Sequence, residues 1–446
     1  MEARPVVLVF AAVAALAAMP ARGAAGDALP FPVEKRTLAN GLDVFAAKYD
    51  SPGIVSYQAV IRAGSRNEVE AGSTGTAHLV EHLVSRGATG QGDYDRVMRR
   101  LGADFNAFTA DDWTCYHATL AADGLERLMQ AESARLRSLA VDETGFRREA
   151  AAVLGEYRQG ASDPLFSARE MLRGQAFVGH PYAHAAMGLL ADIQDMPNQY
   201  ERAREFFRRH YRPDNCALVV VGDIEPARVF ALAERYFGDW ARGAEPTPAP
   251  ADARPPGRRE ARRDDWPAPV LPVLLAAWRT PAFAADDIGF ASLDLAAALL
   301  FAEASPLYQQ LVVERKLAES LSYEIEPHRD PYLVLVQLRA RDADAVPALR
   351  EALGAAIERL AAEGVDPAAL DAARAHRRGV LAHRLATSEG AANLLSFFVN
   401  VAGDAEALNA YQHTLDDVTP EHVQLAAQLW LTPDQLTEVV VAGSGP

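Results

Sequence analysis

The chain has 446 residues, half of them hydrophobic, which is enough to build two or more domain cores. Its formal net charge is −16, its pI is near 5.2 and no basic stripe interrupts this acidity, so nucleic acid is not expected as a partner. Two cysteines, Cys115 and Cys216, exclude a disulfide-rich fold. We expect two buried thiols, with a bridge between them as the alternative in an oxidising compartment.

The N-terminal segment has the composition of a secretion signal. An apolar run at residues 5–19 has the length of a signal h-region and is short for a membrane span. Small residues at 21–25 offer a cleavage site, so residues 1–25 are predicted to be a cleaved signal peptide. The mature chain is then periplasmic or secreted, with an uncleaved anchor as the alternative. No later segment is expected to cross a membrane, and stable membrane insertion after cleavage is not expected.

The pattern H-x-x-E-H at residues 78–82 is the most informative motif. Residues four apart share one face of a helix, so His78 and His82 can offer two imidazoles to one metal ion. Glu81 lies beside them and can act as a general base toward a metal-activated water. Ser73 or Thr74 is expected to cap this helix. The alternative is an ordinary helix with two surface histidines and a glutamate.

A third metal ligand is expected on another element, because a tetrahedral catalytic zinc takes three protein ligands and keeps one position open. The segment 142–160 has the pattern of a helix that Asp142 or Thr144 could cap. Glu149 and Glu156 fall on one partly apolar stripe of that helix. Two glutamates on such a stripe favour a functional role, whereas an exposed helix with scattered acids is the alternative.

A proline- and arginine-rich segment at 242–269 is predicted to be a linker between an N-terminal catalytic domain, 26–241, and a C-terminal domain, 270–446. Each half begins with a β-rich stretch, continues through helices and ends with an apolar strand, at 218–221 and at 439–441. The faint similarity indicates a duplicated α+β unit.

The second half contains no H-x-x-E-H, so only the first half is expected to be catalytic. His376 and His383 lie seven apart on an arginine-rich helix and are expected at the surface. His180 and His184 flank a proline, which indicates a loop, and we expect both to be structural.

These motifs together resemble the insulinase/pitrilysin zinc peptidases, or inverzincins, which include the mitochondrial processing peptidase. The H-x-x-E-H pattern and the later pair of glutamates carry the resemblance. It extends to G-A-D-F-N-A-F-T at 102–109, to Y-R-P-D-N-C-A-L-V-V-V-G-D at 211–223 and to F-G-D-W at 237–240. The fold it implies is α+β: two similar halves, each a mostly antiparallel sheet packed with helices, forming a clamshell-type chamber.

The resemblance also implies roles for individual residues. His78, His82 and Glu156 would be the ligands of one Zn²⁺ per chain. Glu81 would be the catalytic base that activates water. Glu149 would support the site from behind its ligands.

The matched segment 102–109 is an edge strand near the zinc in the family. Asn106, Ala107 and Phe108 are therefore expected to bind substrate, with Asn106 contacting its backbone and the strand holding it by β-augmentation. A turn asparagine is the alternative for Asn106. A chamber of this kind admits peptides or unfolded polypeptides and excludes folded proteins.

The sequence departs from the family where the second half usually carries R-E-K-x-G-L-A-Y, whose Arg and Tyr stabilise the substrate carbonyl. Here Val312 stands at the Arg position and Glu319 at the Tyr position, while Arg315 and Tyr323 lie nearby at another spacing. Losing such a donor costs about 3 kcal/mol of transition-state stabilisation. We favour a hetero-oligomer in which a homologous subunit supplies the pair. Substitution by Arg315 and Tyr323, and a homodimer, are the alternatives.

The leading hypothesis is a zinc endopeptidase that hydrolyses peptides outside the cytoplasm. One alternative is a non-catalytic subunit or scaffold of the same fold. Another is a peptide-binding module with a structural metal, although structural zinc normally takes four protein ligands and the sequence offers three.

Overall fold

The computed structural model describes residues 27–86, 94–243, 250 and 262–443. The predicted signal peptide, 1–25, and most of the predicted linker lie outside the described residues.

The first half is built on a six-stranded sheet in the order β1-β2-β6-β3-β5-β4. Its strands are β1 (Glu34–Thr37), β2 (Asp43–Lys48), β3 (Ile54–Ile61), β4 (Asp104–Thr109), β5 (Thr114–Ala121) and β6 (Cys216–Gly222). Only β2 and β6 pair in parallel; the other neighbours are antiparallel. The central strand β6, sequence CALVVVG, is buried throughout, as expected for an apolar run covered on both faces.

Eight helices belong to the first half of the described chain. They are α1 (Thr76–Ser85), α2 (Tyr94–Leu101), α3 (Leu125–Arg137), α4 (Glu143–Gly160), α5 (Pro164–Ala176), α6 (Leu190–Asp195), α7 (Tyr200–His210) and α8 (Pro226–Phe237). The helix α1 packs on one face of the sheet, against β4 and β5, and α4 and α7 pack on α1. The H-x-x-E-H pentapeptide therefore lies on a helix held between a sheet and two further helices.

The second half is built on a five-stranded sheet in the order β7-β11-β8-β10-β9. Its strands are β7 (Arg262–Trp266), β8 (Val273–Arg279), β9 (Ala318–Ile325), β10 (Leu333–Ala340) and β11 (Thr437–Gly443). Its helices are α9 (Ile288–Phe301), α10 (Pro306–Tyr308, continued by a π-helix at Gln309–Glu314), α11 (Ala345–Glu363), α12 (Pro367–Arg384), α13 (Ser388–Ala402), α14 (Ala407–Asp417) and α15 (Pro420–Trp430).

The two sheets have the same plan. The order β2-β6-β3-β5-β4 of the first corresponds to β7-β11-β8-β10-β9 of the second, and in each the first two strands are the one parallel pair. The expectation of two similar halves, each a mostly antiparallel sheet packed with helices, is confirmed.

The halves are interlocked by exchanged helices. The helix α13 of the second half packs on β3 and β6 and covers the face of the first sheet opposite to α1. Reciprocally, α5 of the first half packs on β8 and β11 of the second sheet. Each sheet thus has a core on both faces, and neither half buries its sheet alone.

The C-terminal end of the predicted linker is a strand. Residues Arg262–Trp266 form β7, which pairs in parallel with Val439–Gly443 of β11. A charged sequence, RRDDW, is typical of a sheet edge, where one side of the strand faces water, and this is why composition alone indicated a linker.

One described stretch of 27 residues, Ile288–Glu314, is long and apolar enough to span a membrane, which the sequence analysis did not anticipate. The mean hydropathy of its most apolar window is 1.5. In the structure 72% of its most apolar window is buried inside the protein. Its first part is α9, whose Phe301 stacks on Trp278 of the second sheet. Its apolar character is explained by this position in the core of the second half.

Both cysteines are free and buried. In the sheet, Cys115 lies opposite Val60 and Cys216 lies opposite Ile61, and consecutive residues of a strand point to opposite faces. The two thiols are therefore on different faces of the sheet, which explains the lack of a bridge.

Candidate metal centre

The helix α1 begins at a glycine and is capped by a distant carboxylate. Gly75 precedes it with φ 85°, a left-handed conformation that glycine adopts without strain. The buried Glu68 accepts hydrogen bonds from the backbone nitrogens of Gly75, at 2.9 Å, and Ala77, at 2.7 Å. Ser73 and Thr74, the expected caps, do not cap this helix, because neither side chain accepts a hydrogen bond from its first N–H groups. Each oxygen of Glu68 thus satisfies one of the free N–H groups at the start of the helix.

The helix α4 is capped as predicted and lies against α1. The carboxylate of Asp142 accepts a hydrogen bond from the backbone nitrogen of Gly145 at 2.7 Å. Val153 is fully buried on the stripe that Glu149 and Glu156 share, so the stripe faces inward. This packing aims both glutamates at the histidines of α1.

The structure brings His78, His82 and Glu156 together. Glu156 Oε2 lies 3.6 Å from His78 Nε2, and its Oε1 lies 3.5 Å from His82 Nε2. One ligand atom from each of the three residues falls within 4.8 Å of the others. Tetrahedral zinc, with bonds of about 2.0–2.2 Å, separates its ligand atoms by roughly 3.4 Å, so the group fits that ion with small side-chain adjustments.

The protonation of the group also suits a metal. Burial, with a smaller contribution from neighbouring His82, lowers the pKa of His78 to about 4. The imidazole is therefore neutral at physiological pH, which is the form that binds metals. Glu156 is 43% exposed, so solvent can reach one side of the group.

Glu149 lies behind the three candidate ligands rather than among them. Its side chain is 3% exposed, and its Oε2 lies 3.7 Å from Nδ1 of His82. Arg86, at the C-terminal end of α1, contacts the other oxygen of Glu149, Oε1, at 2.6 Å. A carboxylate behind a ligating histidine fixes the orientation of the ring and raises its basicity.

Glu81 is buried next to the same group and touches the edge strand. Its residue is 8% exposed, and Thr109 of β4 donates a hydrogen bond to its Oε2 at 2.8 Å. Burial raises the pKa of Glu81, while the Thr109 hydrogen bond and His82 oppose that rise. Thr109 lies within the segment that resembles the family, but only the tertiary contact reveals its link to Glu81.

The predicted substrate residues lie on the outermost strand of the first sheet. In β4, Asn106 and Phe108 are exposed and Ala107 is half-buried. Because side chains alternate along a strand, Phe108 points to the face opposite to Thr109, where it contacts the ring of Trp113 at 5.0 Å. The structure therefore places the strand beside Glu81, but the Phe108 ring does not face the metal group.

The sequence analysis missed a buried ion pair near this site. Arg135 of α3 bonds Glu132 at 2.8 Å, and its guanidinium lies over the rings of Tyr94 and Tyr116. Both charged residues fall among apolar positions of α3, and this opposite-charge pair three residues apart was the available signal. The positive charge of Arg135 also acts on the nearby Glu81.

Arg315 and Tyr323 of the second half lie apart from the metal-binding group in the described structure. Arg315 is exposed at the end of the π-helix, and the Tyr323 ring packs on Phe301 at 6.1 Å in the second half. Among the contacts of the described residues, neither side chain meets the metal-binding group. The exposed histidines, His376 and His383, and the buried His180 and His184 likewise lie outside it.

The buried histidines His180 and His184 make different structural contacts. His180 Nε2 lies 3.0 Å from Asp330 and so joins the first half to the second. His184 Nδ1 lies 3.6 Å from Glu68, and Arg173 bonds Asp111 at 2.6 Å, so these two contacts join segments within the first half. Both sets of contacts agree with a structural role for His180 and His184.

Comparison with known proteins identifies the family. The model of the insulinase family, peptidase family M16, matches residues 44–188, and that of the peptidase M16 inactive domain matches residues 199–376. The zinc protease PqqE of Helicobacter pylori is 26% identical over 417 residues, which cover 91% of this chain and 92% of that protein. The probable β subunit of the mitochondrial processing peptidase of Schizosaccharomyces pombe is 26% identical over 58% of this chain and 57% of its own length.

Solved structures have the same fold. A protease from Helicobacter pylori superposes with a TM-score of 0.86 at 24% identity, over 92% of this chain and 99% of its own. The periplasmic protease PqqL from Escherichia coli superposes with a TM-score of 0.74 at 19% identity, over 94% of this chain and 48% of that longer chain. Because the two family models together match most of its length, the chain belongs to the insulinase family of peptidases, family M16.

Proposed function

We propose that this protein is a zinc-dependent endopeptidase whose single metal site is formed by His78, His82 and Glu156. The observation that carries the proposal is the convergence of these three side chains from two helices, with the buried Glu81 beside them. Zinc proteases among the relatives support the choice of metal. When bound, zinc supplies Lewis-acid polarisation of a carbonyl and lowers the pKa of water.

Residues of this chain have the remaining catalytic and positioning roles. Glu81 takes a proton from the attacking water and returns it to the leaving amine, and burial suits it to both tasks by raising its pKa. Thr109 holds the Glu81 carboxylate through its 2.8 Å hydrogen bond. Glu149 orients the His82 ring from behind. The free edge of β4 aligns a peptide as an added strand, with Asn106, Ala107 and Phe108 at the contact.

A second polypeptide is proposed to complete the active site. Tyr323 packs on Phe301 and Arg315 is exposed, and among the described residues neither contacts the metal-binding group. The Schizosaccharomyces relative is named as a subunit, and the PqqL chain is about twice as long as the part that matches. A homologous subunit that bears the pair is the favoured partner, and a second copy of this chain is the alternative.

The proposed location is the periplasm or the exterior of the cell. The apolar run at residues 5–19 supports it, as does the description of PqqL as a periplasmic protease. The substrates proposed are peptides or unfolded polypeptides.

Substitution Glu81→Gln tests the function. The variant should keep one zinc per chain, measured by elemental analysis, and lose peptide hydrolysis by at least about 100-fold, because the proton acceptor is gone. Both should be measured on the chain alone and with a homologous subunit added. Glu143→Gln, an exposed glutamate at the start of α4, is the matched control and should keep full activity. Hydrolysis retained by Glu81→Gln would show that another group is the base.

A further inference from the structure

The edge strand β4 separates two different environments. On one face Thr109 bonds Glu81 beside the metal-binding group. On the other face the neighbouring Phe108 lies against Trp113, at 5.0 Å, and His117, at 6.2 Å between ring centres. A peptide paired with β4 would alternate its side chains between the same two faces, with about 3.3 Å between consecutive residues. The side chain next to the one over Glu81 would therefore enter the second environment.

That second environment is a cavity of about 700 Å³ between the two halves. The first half lines it with Phe108, Trp113 and His117. The second half lines it with residues of α12, α13 and α14, among them Val380, Leu394 and Phe397. The exchange of α13 onto the first sheet creates this space, because the helical layer of the second half then lies under β4.

The lining is mainly apolar and partly open. Phe108 is 38% exposed and Val380 is 42% exposed, so two large apolar side chains of the lining face solvent. The charged lining residues include an internal pair, since Arg377 bonds Asp294. Arg384 and Glu326 add one charge of each sign. The cavity therefore favours an uncharged apolar group.

We propose that this cavity is a specificity subsite that receives one large apolar side chain, aromatic or branched aliphatic, of a peptide paired with β4. The inference rests on the proposed peptidase function and deepens it by naming the substrate preference. Continuity with the free edge of β4 identifies the occupant, because the cavity opens under the strand that would hold the peptide. Burial of such a side chain against Phe108, Val380 and Phe397 supplies the selectivity.

The test uses a substitution that fills the cavity from its exposed side. Two peptides that are identical except for Phe or Ala at one position are offered to the zinc-loaded protein, together with any subunit that its activity requires. The wild type should prefer Phe at one position by at least about tenfold in kcat/KM. Val380→Trp should bring that ratio near one and leave the Ala peptide unaffected. Ile54→Trp, a β-branched residue of similar exposure at 40%, lies outside the cavity and should keep the preference.

A binding measurement separates failure of the subsite from failure of the function. The same peptides are titrated into Glu81→Gln protein, with and without Val380→Trp, and followed by fluorescence anisotropy. Loss of the Phe preference only in the Val380→Trp form supports the subsite, whether or not hydrolysis is seen. Hydrolysis with a preference that Val380→Trp leaves unchanged overturns the subsite and keeps the peptidase. Absence of both hydrolysis and binding overturns the two together.

Discussion

The two halves share one architecture and differ at one pair of helices. In the first half α1 follows the central strand β3 and packs against α4; in the second, α9 follows the equivalent strand β8 and packs against α12. The first pair presents His78, His82 and Glu156 to one point. The second pair presents Asp294 on α9 and Arg377 on α12, which form an ion pair.

The difference shows two ways to satisfy polar groups between the same helices. The first half gathers two imidazoles and a carboxylate without a guanidinium or ammonium among them, a set that suits a cation from outside. The second half carries its own cation, the Arg377 guanidinium, and Tyr411 also donates to Asp294 at 2.8 Å. Buried charges require partners in either case. Between equivalent helices, the second half thus has an internal salt bridge where the first half has a metal-type cluster.

Removal of a metal ligand should have the largest effect. His82→Ala is expected to lower zinc content from one ion per chain to near zero and to abolish peptide hydrolysis, because two ligands do not hold zinc tightly. Elemental analysis and a fluorogenic peptide assay measure both. His383→Ala, at an exposed histidine of the second half, is the control and should change neither. Full zinc content in His82→Ala would place the metal elsewhere.

Breaking the ion pair of the second half should lower stability without changing zinc binding. Arg377→Met leaves the buried Asp294 carboxylate without a counter-charge and with only the Tyr411 hydrogen bond. This should cost about 3 kcal/mol in the free energy of unfolding, measured with urea. Zinc content should stay at one per chain. Arg378→Met, at a more exposed arginine paired with Asp416, should cost less than about 1 kcal/mol. If Asp294→Asn added to Arg377→Met fails to recover stability, the unpaired charge is not the cause.

Loss of the Thr109 hydroxyl should reduce turnover moderately. Thr109→Val removes the hydrogen bond to Glu81 and should lower kcat about tenfold with little change in KM, since the carboxylate is less well held. Thr119→Val removes a similar bond, to Ser56, elsewhere on the sheet and serves as the control. Equal loss of activity in both variants would indicate a general effect on the sheet.

The smallest effect is expected where the halves meet. His328 Nε2 of the second half lies 3.4 Å from Asp111 of the first. Burial alone lowers the pKa of His328, but the hydrogen bond and charge of Asp111 outweigh it, and the pKa is raised. Burial would raise the pKa of Asp111, yet Arg173 and His328 hold it well below its usual range. His328 and Asp111 are therefore both charged at mildly acidic pH.

The direction of the pH dependence follows from these shifts. The His328 contribution is complete below about pH 6.5 and is lost as pH rises through its raised pKa. The Asp111 contribution is present above about pH 4 and is lost on acidification. Wild type should exceed His328→Gln by about 1 kcal/mol of unfolding free energy near pH 5.5, and by less at pH 8.5. A difference that does not vary with pH, measured by urea unfolding, would contradict this assignment.

The sequence by itself determined the features that depend on local periodicity. Four-residue spacing places His78 and His82 on one helical face whatever the fold, and Glu149 and Glu156 share a stripe for the same reason. The apolar ends of the two halves predicted their equivalence. These signals are local because helix and strand periods are set by backbone geometry.

Tertiary structure decided what depends on contacts between distant segments. It brings Glu156 to both histidines and Glu149 to the back of one, a distinction that the shared stripe cannot make. It also decided the cap from Glu68, the bond from Thr109 to Glu81, and the reciprocal covering of the sheets by α5 and α13. Each of these contacts joins groups whose approach is fixed by packing between elements, which no local pattern records.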